Sequence, residues 1–122
     1  MEKKHILVVD DVSTNLRCLA EILKDNYKVS MAKSGEAAIQ FMEEQKPNLI
    51  ILDVRMPDMD GYQTMEKMKS KDLISETPVI FLSADCETAT EEKGRKMGAV
   101  DFIRKPFEPN RVIDSVRKAL GD

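Results

Sequence analysis

The chain contains the apolar run Leu49-Ile50-Ile51-Leu52, which leads directly into the carboxylate of Asp53. Short runs of this kind, rich in valine and isoleucine and separated by segments of helical periodicity, are typical of buried strands in a parallel sheet. Three more runs end on polar residues in the same way: His5-Ile6-Leu7-Val8-Val9 before Asp10-Asp11, Val79-Ile80-Phe81-Leu82 before Ser83, and Ala99-Val100-Asp101-Phe102-Ile103-Arg104 before Lys105-Pro106. The pattern therefore predicts an α/β fold whose strands lie side by side.

Segments with helical spacing alternate with these runs. The predicted elements are a helix from residue 13 to about residue 25, a strand over residues 27–31, a helix capped by Ser34 that ends before Pro47, a helix starting at Asp60-Gly61, a helix over residues 87–97 closed by Gly98, and a last helix opening on Pro109. This alternation predicts a doubly wound (βα)5 domain over residues 1–122, with a five-stranded parallel sheet and helices on both faces. Most of the methionines are predicted to fill core positions of helices and strands, including Met31, Met42, Met65, Met68 and Met97.

Composition excludes several classes of function. At 122 residues the chain is long enough for one core but not for two. A net charge of −3, with scattered lysines and arginines, offers no basic surface for nucleic acid. No stretch reaches the roughly 20 apolar residues of a membrane span, and no secretory leader is recognisable. Cys18 and Cys86 lie far apart and outside any metal-binding motif, which favours reduced thiols and a cytoplasmic protein.

The polar residues at the strand ends are predicted to form one site. The carboxyl ends of parallel strands share an edge of the sheet, so Asp10, Asp11, Asp53, Ser83 and Lys105 should converge there. Three carboxylates repel one another unless a proton, a lysine or a divalent cation offsets their charge, and all-oxygen ligands suit Mg²⁺. A single aspartate after a strand is usually only a helix cap or a loop residue, but four such coincidences argue against that interpretation. If a phosphoryl group is transferred here, the isolated Asp53 is the natural nucleophile.

The chain resembles the receiver domain of bacterial two-component response regulators over essentially its whole length. The matching segments are Ile6-Leu7-Val8-Val9-Asp10-Asp11, Asp53 with Met56-Pro57-Asp58-Met59-Asp60-Gly61, Leu82-Ser83-Ala84, Gly98-Ala99-Val100-Asp101-Phe102, and Lys105-Pro106-Phe107. The resemblance implies strand order 2-1-3-4-5. It also implies that Asp53 accepts a phosphoryl group from a phosphohistidine on a histidine kinase or a histidine phosphotransfer protein.

The resemblance implies a role for each residue of the site. Asp11, Asp53 and the backbone carbonyl of Arg55 would bind Mg²⁺ (or Mn²⁺) directly, with Asp10 acting through water. Lys105 would contact a phosphoryl oxygen, and its peptide bond to Pro106 would be cis. The switch residues would be Ser83 and Phe102; the alternative for Phe102 is an aromatic that stays in the core at all times.

Two further residues are expected to influence the lifetime of the phosphoryl group. Arg55 and Asp85 each lie two positions beyond a site residue, and an Arg–Asp pair across the mouth of the site would shield the phosphoryl group from water. Two independently solvated side chains are an equally good interpretation.

Three functional hypotheses follow from the sequence. The favoured one is a phosphorylation-controlled signalling module that catalyses only its own aspartyl phosphorylation and dephosphorylation. A receiver-like scaffold that never carries phosphate is disfavoured by the complete set of site residues, and an aspartate-nucleophile phosphatase by the lack of a DxD motif after the first strand. The chain is expected to be a stand-alone receiver or part of a larger regulator, acting on an output domain, a downstream protein or, when phosphorylated, a second copy of itself.

Overall fold

The computed structural model describes residues 3–84 and 88–122 of the chain. In this part, five strands form a parallel sheet in the order β2-β1-β3-β4-β5, as predicted. The strands are β1 (His5–Val9), β2 (Lys28–Ala32), β3 (Leu49–Asp53), β4 (Val79–Ser83) and β5 (Asp101–Arg104). Because β2 and β5 are the edge strands, β1, β3 and β4 lie inside the sheet, which explains why their sequences are nearly all apolar.

Five helices connect the strands, in the predicted alternation. They are α1 (Ser13–Leu23), α2 (Gly35–Glu44), α3 (Gly61–Ser70), α4 (Thr88–Lys96) and α5 (Pro109–Leu120). In the part of the chain that the structure describes, none of these helices combines the length and the apolar character that crossing a membrane requires.

The side chains of the inner strands β1, β3 and β4 alternate between two separate cores. One core lies between the sheet and helices α2 and α3 and includes Leu52 and Phe81, whereas the other lies against α1 and α5 and includes Ile51 and Leu82. Strands β3 and β4 are buried at every position. The polar residues that end them are therefore held by a rigid, close-packed framework.

Local capping chemistry sets the helix starts, largely as predicted. The hydroxyl of Ser34 accepts a hydrogen bond from the Ala37 amide at the start of α2. At the start of α3, Asp60 and Gln63 form a reciprocal capping box. Helix α1 differs, because its N-cap residue Val12 has no capping side chain. The carboxylate of Asp10 accepts a hydrogen bond from the Val12 amide instead, which ties α1 to the end of β1.

The prediction that Met31 fills the core is wrong. Its side chain is 52% exposed, although Met42, Met65 and Met68 are buried as predicted. Met31 lies on β2, which has a neighbouring strand on one side only and lacks the two-sided cover of the inner strands. Strand β2 also begins and ends one residue later than predicted, and α1 ends at Leu23, slightly before the predicted end.

Candidate functional site

The sheet brings the predicted site residues to one edge. Asp10 and Asp11 follow β1, and Asp53 ends the adjacent strand β3. Ser83 ends β4, and Lys105 follows β5, where its backbone amide donates to the Ser83 carbonyl over 2.7 Å. These strands are consecutive neighbours and run in the same direction, so their carboxyl ends meet without any unusual loop.

A glycine allows α3 to begin directly beside Asp53. A Cβ atom on Gly61 would lie 2.3 Å from the Asp53 carbonyl oxygen and 2.9 Å from the Cα of Val54. Both contacts are with backbone, which cannot move away cheaply. Only glycine therefore fits at this position while the Gly61 amide donates to the Val54 carbonyl over 2.7 Å.

Three carboxylates form a cluster that could hold a metal ion. One oxygen from each of Asp10, Asp11 and Asp53 lies within 4.8 Å of the others. Asp10 is fully buried, Asp53 is 3% exposed, and Asp11 is half-buried. An all-carboxylate set with one member open to water fits a hard divalent cation that keeps some of its own water, as Mg²⁺ does. The chemistry of the donors therefore fits the expected ion.

The surroundings of Asp53 make ionisation of its carboxyl group unfavourable. Burial raises the pKa of the Asp53 carboxyl to about 6, and the negative charge of Asp10 adds to the effect, while Lys105 partly opposes it. A bound cation or an additional hydrogen-bond donor would therefore stabilise the ionised form of Asp53, which burial and the charge of Asp10 disfavour.

Lys105 bridges two members of the cluster. Its Nζ lies 3.0 Å from Oδ2 of Asp10 and 3.2 Å from Oδ2 of Asp53. Burial lowers the pKa of the Lys105 ammonium, but its hydrogen bond to Asp10 and the charges of both carboxylates outweigh burial and raise the pKa. Lys105 is therefore a fixed positive charge at the site, and its peptide bond to Pro106 is cis, as the resemblance implied.

The structure adds a partner of Asp10 that the sequence reasoning missed. The side-chain Nδ2 of Asn15 donates to Oδ2 of Asp10 over 3.1 Å, and the Val12 amide donates to Oδ1 over 3.0 Å. With Lys105, these donors give both oxygens of the buried carboxylate a hydrogen bond. The signal for this contact is an amide side chain in the first turn of α1, five residues after Asp10.

The two predicted switch residues lie on neighbouring strands. Ser83 is buried at the end of β4, and Phe102 is buried on β5, opposite Phe81 of β4. Phe102 already lies in the core in this structure, as the interpretation of a core aromatic predicted. Whether it changes position on phosphorylation stays a prediction.

Of the two residues that are predicted to influence the lifetime of the phosphoryl group, only Arg55 lies among the described residues. Arg55 is exposed on the loop after β3, and its role and that of its carbonyl stay predictions. Asp85, its predicted partner across the mouth, lies outside the described residues.

Comparison with known proteins agrees with this geometry. A family model described as the response regulator receiver domain matches residues 6–117. The protein named "Probable transcriptional regulator ycf27" of Porphyridium aerugineum is 35% identical over 121 residues, which cover 98% of this chain and 49% of that protein. A "Probable cyclic di-GMP phosphodiesterase" of Vibrio cholerae is 34% identical over 101 residues, or 83% of this chain and 23% of that protein. The chain thus spans half or less of the length of these relatives.

A solved structure gives the same result for the fold. The chemotaxis protein CheY4 of Vibrio cholerae superposes with a TM-score of 0.90 at 25% identity, covering 97% of this chain and 99% of that one. The chain is therefore a member of the response regulator receiver domain family, whose model it matches along almost its whole length.

Proposed function

We propose that this chain is a phosphoacceptor switch in which Asp53 takes a phosphoryl group from a phosphohistidine of a histidine kinase or histidine phosphotransfer protein. The observation that carries the proposal is the convergence of three carboxylates, including that of Asp53, and Lys105 at one edge of the sheet. A carboxylate oxygen of Asp53 attacks phosphorus, and the bond from phosphorus to the imidazole nitrogen breaks. The imidazole keeps the electron pair and takes a proton from water.

Each neighbour of Asp53 has a distinct part in this reaction. Asp11, Asp53 and the Arg55 carbonyl would hold Mg²⁺ or Mn²⁺ directly, and Asp10 would hold it through water; the ion would supply positive charge against the phosphoryl oxygens. Lys105 gives a second positive charge and Ser83 a hydroxyl donor, and both groups suit phosphoryl oxygens. With a pKa of about 6, Asp53 is mostly ionised at neutral pH and able to attack.

The phosphorylated state ends by hydrolysis at the same site. Water attacks phosphorus, inorganic phosphate leaves, and the Asp53 carboxylate is regenerated, so the chain catalyses reactions on itself only. Arg55 and Asp85 influence how readily water arrives. Between these events, Ser83 and Phe102 alter the surface of residues 86–120, which regulates an output domain, a downstream protein or a second copy of the chain.

Labelling with a small phosphodonor tests the proposal. Acetyl phosphate with Mg²⁺ should add one phosphoryl mass to the intact chain, and the acyl phosphate should react with borohydride. Tandem mass spectrometry of the trapped product should locate it at Asp53. Asp53→Asn should not be labelled, whereas Asp25→Asn, the same substitution at an exposed residue of the α1–β2 loop, should be labelled like the unaltered chain. Labelling at another residue, or none with a donor that labels a known receiver, would refute the proposal.

A further inference from the structure

Asn15 makes a contact that no role assigned above explains. Its Nδ2 lies 3.1 Å from Oδ2 of Asp10, the only fully buried member of the carboxylate cluster. Because an ionised carboxylate only accepts hydrogen bonds, the Asn15 amide must present its nitrogen to Asp10. The contact is therefore specific to a side chain that donates at this position.

The geometry of α1 places this donor. Asn15 lies in the first turn of the helix, and its backbone amide donates to the Val12 carbonyl over 3.0 Å. The Val12 amide in turn donates to Oδ1 of Asp10. The start of α1 thus holds both oxygens of Asp10, one through the backbone and one through Asn15, which sets the plane of the carboxylate.

Lys105 cannot hold Asp10 in this way by itself. Its ammonium is divided between Asp10 at 3.0 Å and Asp53 at 3.2 Å, and an ammonium on a flexible stem does not define a carboxylate's plane. In the proposed function Lys105 also contacts the phosphoryl group, and its hydrogen bond to Asp10 would then be weakened. A buried carboxylate without full hydrogen bonding is costly, and the neutral amide of Asn15 offsets that loss without adding charge.

We propose that Asn15 is a positioning residue: it fixes the Asp10 carboxylate in the orientation that the bound divalent cation requires. This inference rests on the proposed function, because it assigns Asp10 to the Mg²⁺ site. Groups that orient the residues around a metal, without touching it, commonly change metal affinity 10-fold or more when they are removed.

A Mg²⁺ titration monitored by thermal unfolding tests this role without using phosphorylation. Mg²⁺ stabilises the folded chain by binding it in preference to the unfolded one, so the rise in Tm reports affinity. Asn15→Ala should need about 10-fold more Mg²⁺ for the same rise. Asn15→Leu keeps the branched shape of the side chain but lacks the donor, and it should show the same loss. Thr14→Ala, an exposed neighbour in the same helical turn, should titrate like the unaltered chain.

The outcomes separate this inference from the proposed function. A merely structural Asn15 would lower the metal-free Tm and leave the Mg²⁺ requirement unchanged, and that result in either folded variant would overturn the inference. Labelling of Asp53 in the unaltered chain would leave the proposed function standing in that case. If the unaltered chain shows no Mg²⁺ response at all, the metal site is wrong and the role of Asn15 falls with it.

Discussion

At the scale of single residues, the main electrostatic feature is the raised pKa of Asp53. Its carboxyl group ionises less readily than that of an ordinary surface aspartate. Asp53 is 3% exposed, and burial and the charge of Asp10 raise its pKa to about 6. A raised pKa means that ionisation of this carboxyl group costs more free energy in the folded state than in the unfolded chain. Asp53 therefore lowers the free energy of unfolding above pH 6, and this cost disappears as the pH falls toward the unfolded value near 3.8.

Removing that charge should stabilise the metal-free protein. Asp53→Asn is expected to raise the free energy of unfolding by about 1–2 kcal/mol at pH 7.5. At about 1.4 kcal/mol per pKa unit, the rise from 3.8 to about 6 sets an upper limit of about 3 kcal/mol, and the lost ion pair with Lys105 reduces the gain. The gain should shrink at pH 4.5. Urea denaturation in the presence of a chelator measures both values, with Asp25→Asn as the control. A variant that is no more stable than the control at pH 7.5 would contradict the electrostatic argument.

At the scale of elements, helix α4 packs closely against the sheet at a glycine. Gly94 lies in its middle, and a Cβ there would be 2.9 Å from Cδ2 of Phe81 and 3.4 Å from Cδ2 of Phe102. The backbone of α4 at Gly94 therefore packs directly against two aromatic rings, with no side chain between them. The hydroxyl of Tyr62 in α3 donates to the Thr90 carbonyl over 2.8 Å, which ties α4 to its neighbour.

Gly94→Ala should therefore destabilise the chain, although alanine favours helix by about 1 kcal/mol over glycine. The ring of Phe81 is fully buried and cannot move aside, so we expect a net loss of about 1–2 kcal/mol from overpacking. Thermal and urea unfolding measure the loss. Glu92→Ala, an exposed change in the same helix, controls for helix propensity.

A second variant isolates the clash with the ring. Phe81→Leu opens space beneath α4, so Gly94→Ala should cost less in that background than in the unaltered chain. A Gly94→Ala variant with a higher Tm than the unaltered chain would show that α4 does not rest on these rings.

At the scale of the whole molecule, the site and the α4–β5–α5 side are connected through strand β4. Because side chains alternate along a strand, Ser83 lies on the same face of the sheet as Phe81, and Phe81 pairs with Phe102 of β5. Beyond them, Asp101 accepts hydrogen bonds from Arg111 of α5 at 2.9 Å and from Arg95 of α4 at 3.4 Å. The side chain of Asp101 is only 20% exposed and Arg111 contacts both of its oxygens, so this network joins β5 to α5 and any rearrangement of this side must carry it along or break it.

A phosphate mimic should reveal that connection. Beryllofluoride with Mg²⁺ should shift backbone amide NMR signals at Asp53 and also across residues 86–120, because Ser83 and Lys105 turn toward the added charge. Ser83→Ala should still bind the mimic but show smaller shifts over residues 86–120. Shifts confined to the Asp53 pocket in the unaltered chain would mean that the proposed switch does not operate.

Much of the site could be predicted from the sequence because it depends on strand ends. Each apolar run ends on a polar residue, and parallel strands present those ends at one edge, so the grouping of Asp10, Asp53 and Lys105 needed no knowledge of distances. Helix starts at Ser34 and Asp60 were predictable for a similar reason, since capping involves residues only three positions apart.

Other features were decided by the tertiary structure alone. The raised pKa of Asp53 depends on its distance from Asp10 and on burial, and the contact of Asn15 with Asp10 depends on how α1 leaves β1. The exposure of Met31 follows from the edge position of β2. A local pattern shows which face of an element is apolar, but the crossover connections between elements determine which side chains meet and which are left uncovered.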